Sequence, residues 1–474
     1  MPFLLPRAVT AGRTGYAHLA TLALILLVAA VFRVHGLQTW DDGQHQHPDE
    51  RFLVQVSIGV SVPDSLGNYL NTQRSTLNPY AQGQQRYAYG QLPLTLTRLL
   101  AEWTGNTSYD TVEMPGRALS ALADLLTIVF AWLLARRVFG IRVAHLTALL
   151  LALTVLHIQL AHYYAVDTFV ATFAAAALFF GQRAWQRESL SDALLAGVMV
   201  GLASACKVSA VMLLPVLGLA FVWPRRGRPS ADQVLDGITA FGVALVAAFF
   251  AFRLAEPYAF AGPAVWNIRP NPQWWSDKAY WVELSSGTVD VPFMIQWAGT
   301  SAYTFALQSI MQWGMGPALG AAGLLGMAAC AWRLVRGHAR EREAVLVLVW
   351  TLLNLVYFGG QFAKFMRYLL PAYFGLAMFG AYGLLLATDW LGRVRRFELD
   401  SLQRWLAPAV VTATAVWALA FSGIYDQAHS RIQASAWIYN NIPAGAALAT
   451  EHWDDALPLR LSQTDARYKN VELT

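Results

Sequence analysis

Only two cysteines occur in the 474 residues, Cys206 and Cys330, and each sits inside an apolar segment. A disulfide framework and a cysteine-based zinc site are thereby excluded. Charge is scarce as well. Asp, Glu, Lys and Arg make up 13% of the chain, against roughly 25% in a soluble domain. Lysine occurs only at Lys207, Lys278, Lys364 and Lys469; that bias towards arginine points to a GC-rich bacterial gene. Also missing are a P-loop, a glycine-rich dinucleotide fingerprint and a Gly-x-Ser-x-Gly elbow, so nucleotide hydrolysis and serine-hydrolase chemistry have no support. The formal charge of +5 is no nucleic-acid footprint, because the arginines fall in clusters between apolar runs.

What the chain has is apolar length. Hydrophobic residues make up 56% of it, with 18 Trp, 18 Tyr and 24 Phe. This fits an all-α polytopic membrane protein with aromatic belts at both bilayer surfaces. Leu19 to Val34 follows Arg7 and Arg13 as in a signal peptide, but no small-residue cleavage site comes after it, so it reads as a retained anchor. Further stretches of spanning length lie near 115–135, 143–161, 164–182, 237–255, 316–334, 343–360, 368–388 and 405–423. Residues 192–223 are too long for one span and short for two. Arginine decides the matter. Arg183 and Arg187 precede this stretch and Arg225, Arg226 and Arg228 follow it, so positive-inside bias puts both flanks in the cytoplasm. The crossings between them are then even in number, a hairpin with Lys207 near its outer tip. Arg136, Arg137 and Arg142, then Arg333, Arg336, Arg340 and Arg342, then Arg393, Arg395 and Arg396 all fall inside in an arrangement of about eleven spans. The N-terminus is then cytoplasmic and the C-terminus outside, in a bacterial inner membrane.

Two outer loops are long, about 36–114 and about 256–314, and long loops in compact proteins are usually functional. In the first, Glu50 to Val60 and Leu92 to Trp103 have the mixed polarity of interfacial helices. The second is crowded with Trp266, Trp274, Trp275, Trp281, Trp297 and Trp313, as an aromatic belt or as platforms for sugar faces. Residues 1–425 thus form one transmembrane module, and 426–474 begin an extracytoplasmic α/β tail. In that tail 428–441 suits an amphipathic helix, Ala446 to Thr450 a short strand leading into Glu451-His452-Trp453-Asp454-Asp455, and Lys469 to Thr474 another strand start. A strand start without a partner suggests a fragment of a longer protein.

The acidic pair in His47-Pro48-Asp49-Glu50 follows the first apolar run. It reads either as the acidic opening of a helix or as a general base at a membrane surface, where carboxylates are costly to desolvate. Lys207, Arg253, Lys364 and Arg367 break the charge bias on the outer side. Each reads as a snorkelling anchor or, taken together, as a receptor for a lipid phosphate. His162-Tyr163-Tyr164-Ala165-Val166-Asp167 lies at the turn between the third and fourth spans, where Asp167 either caps a helix or serves the site. His45, His47, Asp49, Glu50 and His162 lack a compact metal-ligand spacing, so a divalent cation is not firmly implied.

These features together resemble the GT-C superfamily of lipid-linked-sugar glycosyltransferases, above all the protein O-mannosyltransferases and the bacterial aminoarabinose transferases. The resemblance rests on His47-Pro48-Asp49-Glu50-Arg51-Phe52, on Gly116-Arg117-Ala118-Leu119-Ser120-Ala121-Leu122 ahead of Ala135-Arg136-Arg137-Val138-Phe139-Gly140, and on His157-Ile158-Gln159 with His162-Tyr163 and Asp167. Gly201-Leu202-Ala203 with Lys207, and Arg367-Tyr368-Leu369-Leu370-Pro371, complete it. It departs from the aminoarabinose branch at Gly90-Gln91-Leu92-Pro93, where that branch shows Lys-Pro-Pro, and no β-trefoil insert is evident in the second loop.

The resemblance implies a GT-C fold and inverting transfer of a sugar from a polyprenyl-phosphate donor to a protein, lipid or glycan acceptor. Asp49 would be the base, with Glu50 and Asp167 orienting acceptor or sugar. His162, Lys207, Lys364 and Arg367 would bind substrate. Expected partners are the bilayer, the polyprenyl-phosphate-sugar donor and a protein or glycolipid acceptor, with no nucleic acid. A transporter or flippase of a lipid-linked substrate would use the same cations, but would favour internal repeats and broken mid-membrane helices, and a non-catalytic scaffold would leave the acids without a role.

Overall fold

The computed structural model describes residues 7–223, 230–393, 400–451, 456–461 and 467–473. Arg225, Arg226, Arg228, Arg395, Arg396 and the stretch His452-Trp453-Asp454-Asp455 lie outside the described residues. The chain runs α1 (Arg7–Val34), α2 (Pro48–Ile58), α3 (Leu66–Leu70), α4 (Gln91–Thr104), α5 (Glu113–Val138), α6 (Ile141–Ala152), α7 (Val155–Ala161), α8 (Asp167–Arg187), α9 (Leu190–Ser204), α10 (Leu213–Val222), α11 (Ala231–Ala255), α12 (Pro272–Ser286), α13 (Thr304–Ser309), α14 (Pro317–Val335), α15 (Val345–Gly360), α16 (Leu370–Arg393), α17 (Asp400–Ser422) and α18 (Ser430–Asn441). Two strands follow, β1 (Ala447–Glu451) and β2 (Lys469–Leu473).

Among the described residues, seven helical stretches are long and apolar enough to cross a bilayer. They begin at Gly15, Glu113, Ala231, Pro317, Glu341, Met366 and Gln403. The pair α6 and α7, bent by 57°, makes an eighth if it crosses as one. α8 and the two arms of the expected hairpin, α9 and α10, pack among them without meeting that test. α16 is apolar and buried almost all round, which marks it as the central helix of the bundle. In lipid no hydrophobic force drives helices together, so close backbone approach has to supply the contact energy. α9 meets this need with Gly197 and Gly201. A Cβ on Gly197 would lie 2.1 Å from Ala244 O of α11, and one on Gly201 would lie 2.4 Å from Ala248 O.

The arginine-bearing helix ends meet one another. Arg137 donates to Gln186 Oε1 at 2.6 Å, and Gln182 and Gln186 both donate to Glu343, at 3.0 and 2.6 Å. At the opposite end of these helices the two long loops interlock. Asp277 of α12 accepts from Tyr80 Oη at 2.7 Å and Tyr87 N at 2.9 Å. Lys278 donates to Tyr87 O and Tyr89 O at 2.6 and 3.0 Å. Glu256 accepts from Gln91 N at 2.5 Å and Trp274 Nε1 at 2.9 Å. Trp274 is thus a buried structural donor, while Trp266, Trp275 and Trp313 are exposed.

The expected interfacial helices correspond to α2 and α4, and α18 covers the amphipathic stretch. One expectation is corrected. The second strand of the tail does have a partner: β2 pairs in parallel with β1, Ala447 opposite Lys469 through Glu451 opposite Leu473. A parallel pair needs a crossover connection, and the intervening residues hid that pairing from a local reading.

Candidate active site

α2 opens with His47 as its N-cap residue and Pro48 at its start, so Asp49 and Glu50 share its first turn. Successive helical positions diverge by about 100°, and the two acids go separate ways. Glu50 turns inward and is fully buried. Arg117 of α5 grips it through Nε at 2.9 Å and Nη2 at 2.5 Å, and Tyr164 N donates to it at 2.7 Å. The same guanidinium holds Asp41 through bonds of 3.3 and 2.7 Å. Glu50, expected to orient acceptor or sugar, here ties α2 to α5.

Asp49 faces Arg367 instead. Arg367 Nε lies 2.8 Å from Asp49 Oδ2, and a second guanidinium nitrogen donates to Oδ1 at 3.2 Å. Burial pushes the Asp49 carboxyl up, but Arg367, His47, Tyr89 and Lys207 together outweigh it and leave it below the ordinary aspartate value. His47 stacks on Tyr163 with ring centroids 4.2 Å apart. Burial lowers its imidazole, and the opposing pull of Asp49 does not restore it.

A second ion pair adjoins the first. Asp167 opens α8, and Lys207 Nζ lies 2.9 Å from its Oδ1. Lys207 comes from the turn between α9 and the 3-10 segment Val208–Met212, the tip of the expected hairpin. Its ammonium also rests over the Tyr368 ring, 4.0 Å from the centroid. The charge of Asp167 reaches both His47 and Arg367. Asp49, Asp167, Lys207 and Arg367 thus form one cluster, assembled from four distant parts of the chain.

Lys364 stands apart in kind. Its Nζ donates to Thr300 Oγ1 at 3.1 Å and to Phe362 O at 3.2 Å, both neutral oxygens. It lines an open cavity of about 440 Å³ together with His47 and Arg367. A narrow crevice of about 10 Å³ lined by Asp167, Lys207 and Tyr368 lies on the other side.

Two expected cations or ligands belong elsewhere. His162 ends α7 with Nδ1 on Ile158 O at 2.8 Å and Nε2 on His35 O at 2.9 Å, stacked on Tyr425 at 3.7 Å. His162, expected to bind substrate, is buried with both ring nitrogens on backbone carbonyls. Arg253 donates to Gly262 O at 3.2 Å and Ala264 O at 2.8 Å, and so braces its own loop. Sequence reasoning missed Tyr89, Tyr368 and Arg117. For Arg117 a signal existed, since it breaks the charge bias just as Lys207 does.

Asp41, His45 and Glu50 bring ligand atoms within 4.8 Å of one another, but Arg117 already bonds both carboxylates. Asp49 and Asp167 likewise each hold a side-chain cation. The donor set fits ion pairing better than a divalent metal.

The crystal structure of the apo oligosaccharyltransferase from Archaeoglobus fulgidus matches with a TM-score of 0.58 and 16% identity, over 90% of this chain and 58% of that one. ArnT from Cupriavidus metallidurans, bound to undecaprenyl phosphate, matches with a TM-score of 0.50 and 17% identity, over 93% of this chain and 83% of that one. The fold is GT-C. A family model described as dolichyl-phosphate-mannose-protein mannosyltransferase matches residues 103–252, a stretch of this GT-C chain that holds Arg117, Asp167 and Lys207 but neither Asp49 nor Arg367. The archaeal oligosaccharyltransferase also matches in its complex with an inhibitory peptide and a dolichol-phosphate, with a TM-score of 0.58 and 14% identity over 91% of this chain. The chain spans 58% of the length of that relative. No curated protein sequence matches it.

Proposed function

We propose that this chain is an integral-membrane inverting glycosyltransferase that moves a sugar from a polyprenyl-phosphate donor to an acceptor on the extracytoplasmic face. The observation that carries the reading is the Asp49–Arg367 pair beside the Asp167–Lys207 pair, with Arg367 also lining the 440 Å³ cavity. Dolichol-phosphate in one structural relative and undecaprenyl phosphate in another support the donor class.

In the reaction Asp49 takes the proton of the acceptor hydroxyl, whose oxygen forms a new bond to the anomeric carbon. The bond from that carbon to the phosphate oxygen breaks, and its electron pair leaves with the polyprenyl phosphate. General base catalysis of this kind contributes about 10²–10⁴-fold. The leaving group is a stable anion, so no acid is needed. Its growing charge falls to Lys364, Lys207 and Arg367. Donor phosphate competes with Asp49 for Arg367, so binding the donor frees the base. Attack from the face opposite the phosphate inverts the sugar.

The test is mass spectrometry of glycoproteins and glycolipids from a strain lacking the gene. A glycosylated species should vanish and return when the gene is restored; an unchanged profile would count against transfer.

A further inference from the structure

Gln308 and Gln312 stand four residues apart, where α13 runs into a single π turn, Ile310–Gly314. Such turns insert one residue into a helix and recur at functional sites. Just ahead of α13, Tyr303 holds a left-handed φ of 62°, with its N–H donating to Gly359 O at 2.9 Å. A non-glycine residue keeps that conformation only where its surroundings impose it. The irregular segment forms one wall of the 440 Å³ cavity, which Gln159 and Gln296 also line. The side chains of Gln308 and Gln312 hydrogen-bond no other described residue, and that of Gln296 commits only its Nε2, to Phe293 O at 2.8 Å. Among the described residues no aspartate or glutamate lines the cavity, and its cations are Lys364 and Arg367.

Resting on the transferase reading above, we infer that these carboxamides recognise the hydroxyls of an uncharged sugar, and that Gln308 and Gln312 set this preference. A carboxamide both donates and accepts, as a hydroxyl does, so the two pair reciprocally. An ammonium only donates. Away from the anomeric carbon, the described cavity lining offers an amino sugar no carboxylate and confronts it with Lys364, whose charge no described acid cancels. A uronic sugar brings a second anion besides the phosphate, and Lys364 is the one cation lining the cavity that lacks an acidic partner among the described residues. A site built to hydrogen-bond hydroxyls discriminates strongly against groups that leave its polar atoms unpaired.

The experiment is competition for labelled undecaprenyl phosphate on the full chain in nanodiscs. The competitors are undecaprenyl phosphate alone and the same lipid carrying mannose, aminoarabinose or glucuronate. The mannose lipid should compete at least tenfold better than the bare lipid, and the two charged-sugar lipids no better than the bare one. Gln308→Glu with Gln312→Glu should abolish the mannose advantage and confer one on the aminoarabinose lipid. Gln312→Leu alone should lower the mannose advantage without conferring the other. Equal competition by the aminoarabinose and mannose lipids in the unaltered chain overturns the inference while sparing the transferase reading. Failure of bare undecaprenyl phosphate to bind at all overturns the transferase reading itself.

Discussion

Arg367 Nε lies 2.8 Å from Asp49 Oδ2, a charge pair closed between residues 318 positions apart. The pair holds Asp49 ionised against the burial that would otherwise protonate it. Its folded value lies below that of a free aspartate, so the stability it contributes is present above the free value and is lost as pH falls through the folded one. Arg367→Gln removes the main restraint. The acid limb of kcat/KM should then move to higher pH in the variant. An acid limb that stays in place would show that Asp49 is not the group being titrated.

Glu50 and Arg117 should behave as structural residues. Arg117→Met leaves Glu50 and Asp41 buried without their partner, which costs about 3–5 kcal/mol. A thermal-shift assay in detergent should show a large loss of stability. Glu50→Gln leaves Arg117 with Asp41 and should cost less, about 1–3 kcal/mol, with kcat within a few-fold of normal in the protein that folds. A stable Glu50→Gln protein with kcat reduced a hundredfold would return Glu50 to the chemistry.

Lys364→Met removes a cation that no carboxylate neutralises. A charge-assisted bond to phosphate is worth about 1.5–3 kcal/mol, so donor KM should rise by about tenfold to a hundredfold. Steady-state kinetics with donor varied at fixed acceptor will read this. An unchanged KM would mean that the phosphate sits in the Lys207 crevice.

The clamp between the two long loops should loosen as pH rises. Burial lifts the Glu256 carboxyl to about 7. The closed form therefore binds more protons than an opened loop whose glutamate titrates near 4.5, and closure weakens as pH climbs between those values. Thermal unfolding should be easier at pH 8 than at pH 6, by on the order of 1–3 kcal/mol. Glu256→Gln should shrink that difference; an unchanged difference would place the titrating group elsewhere.

Arginine placement and apolar length pointed to a break near Lys207, where α9 ends and a 3-10 segment leads into α10; both follow from one-dimensional patterns that the bilayer imposes. Choosing Asp49 over Glu50 came from family resemblance; in the structure Asp49 meets Arg367 and Glu50 meets Arg117. That contact depends on α5 packing beside α2, which no local pattern records. His162 and Arg253 show a related limit. A polar side chain near a membrane boundary looks free in sequence, yet backbone carbonyls of neighbouring turns satisfy both. The π turn beside Gln308 and Gln312 left no sequence signal, since it arises where α13 is fitted against α15.

The central claim is that Asp49 is the base, and Asp49→Asn tests it most directly. Asparagine keeps the shape and the contact with Arg367 but cannot take a proton. Transfer and donor binding should be measured on the same purified variant. The account expects turnover to fall by at least a hundredfold while undecaprenyl phosphate still binds within a few-fold of normal. Turnover close to that of the unaltered chain, with binding intact, would contradict it.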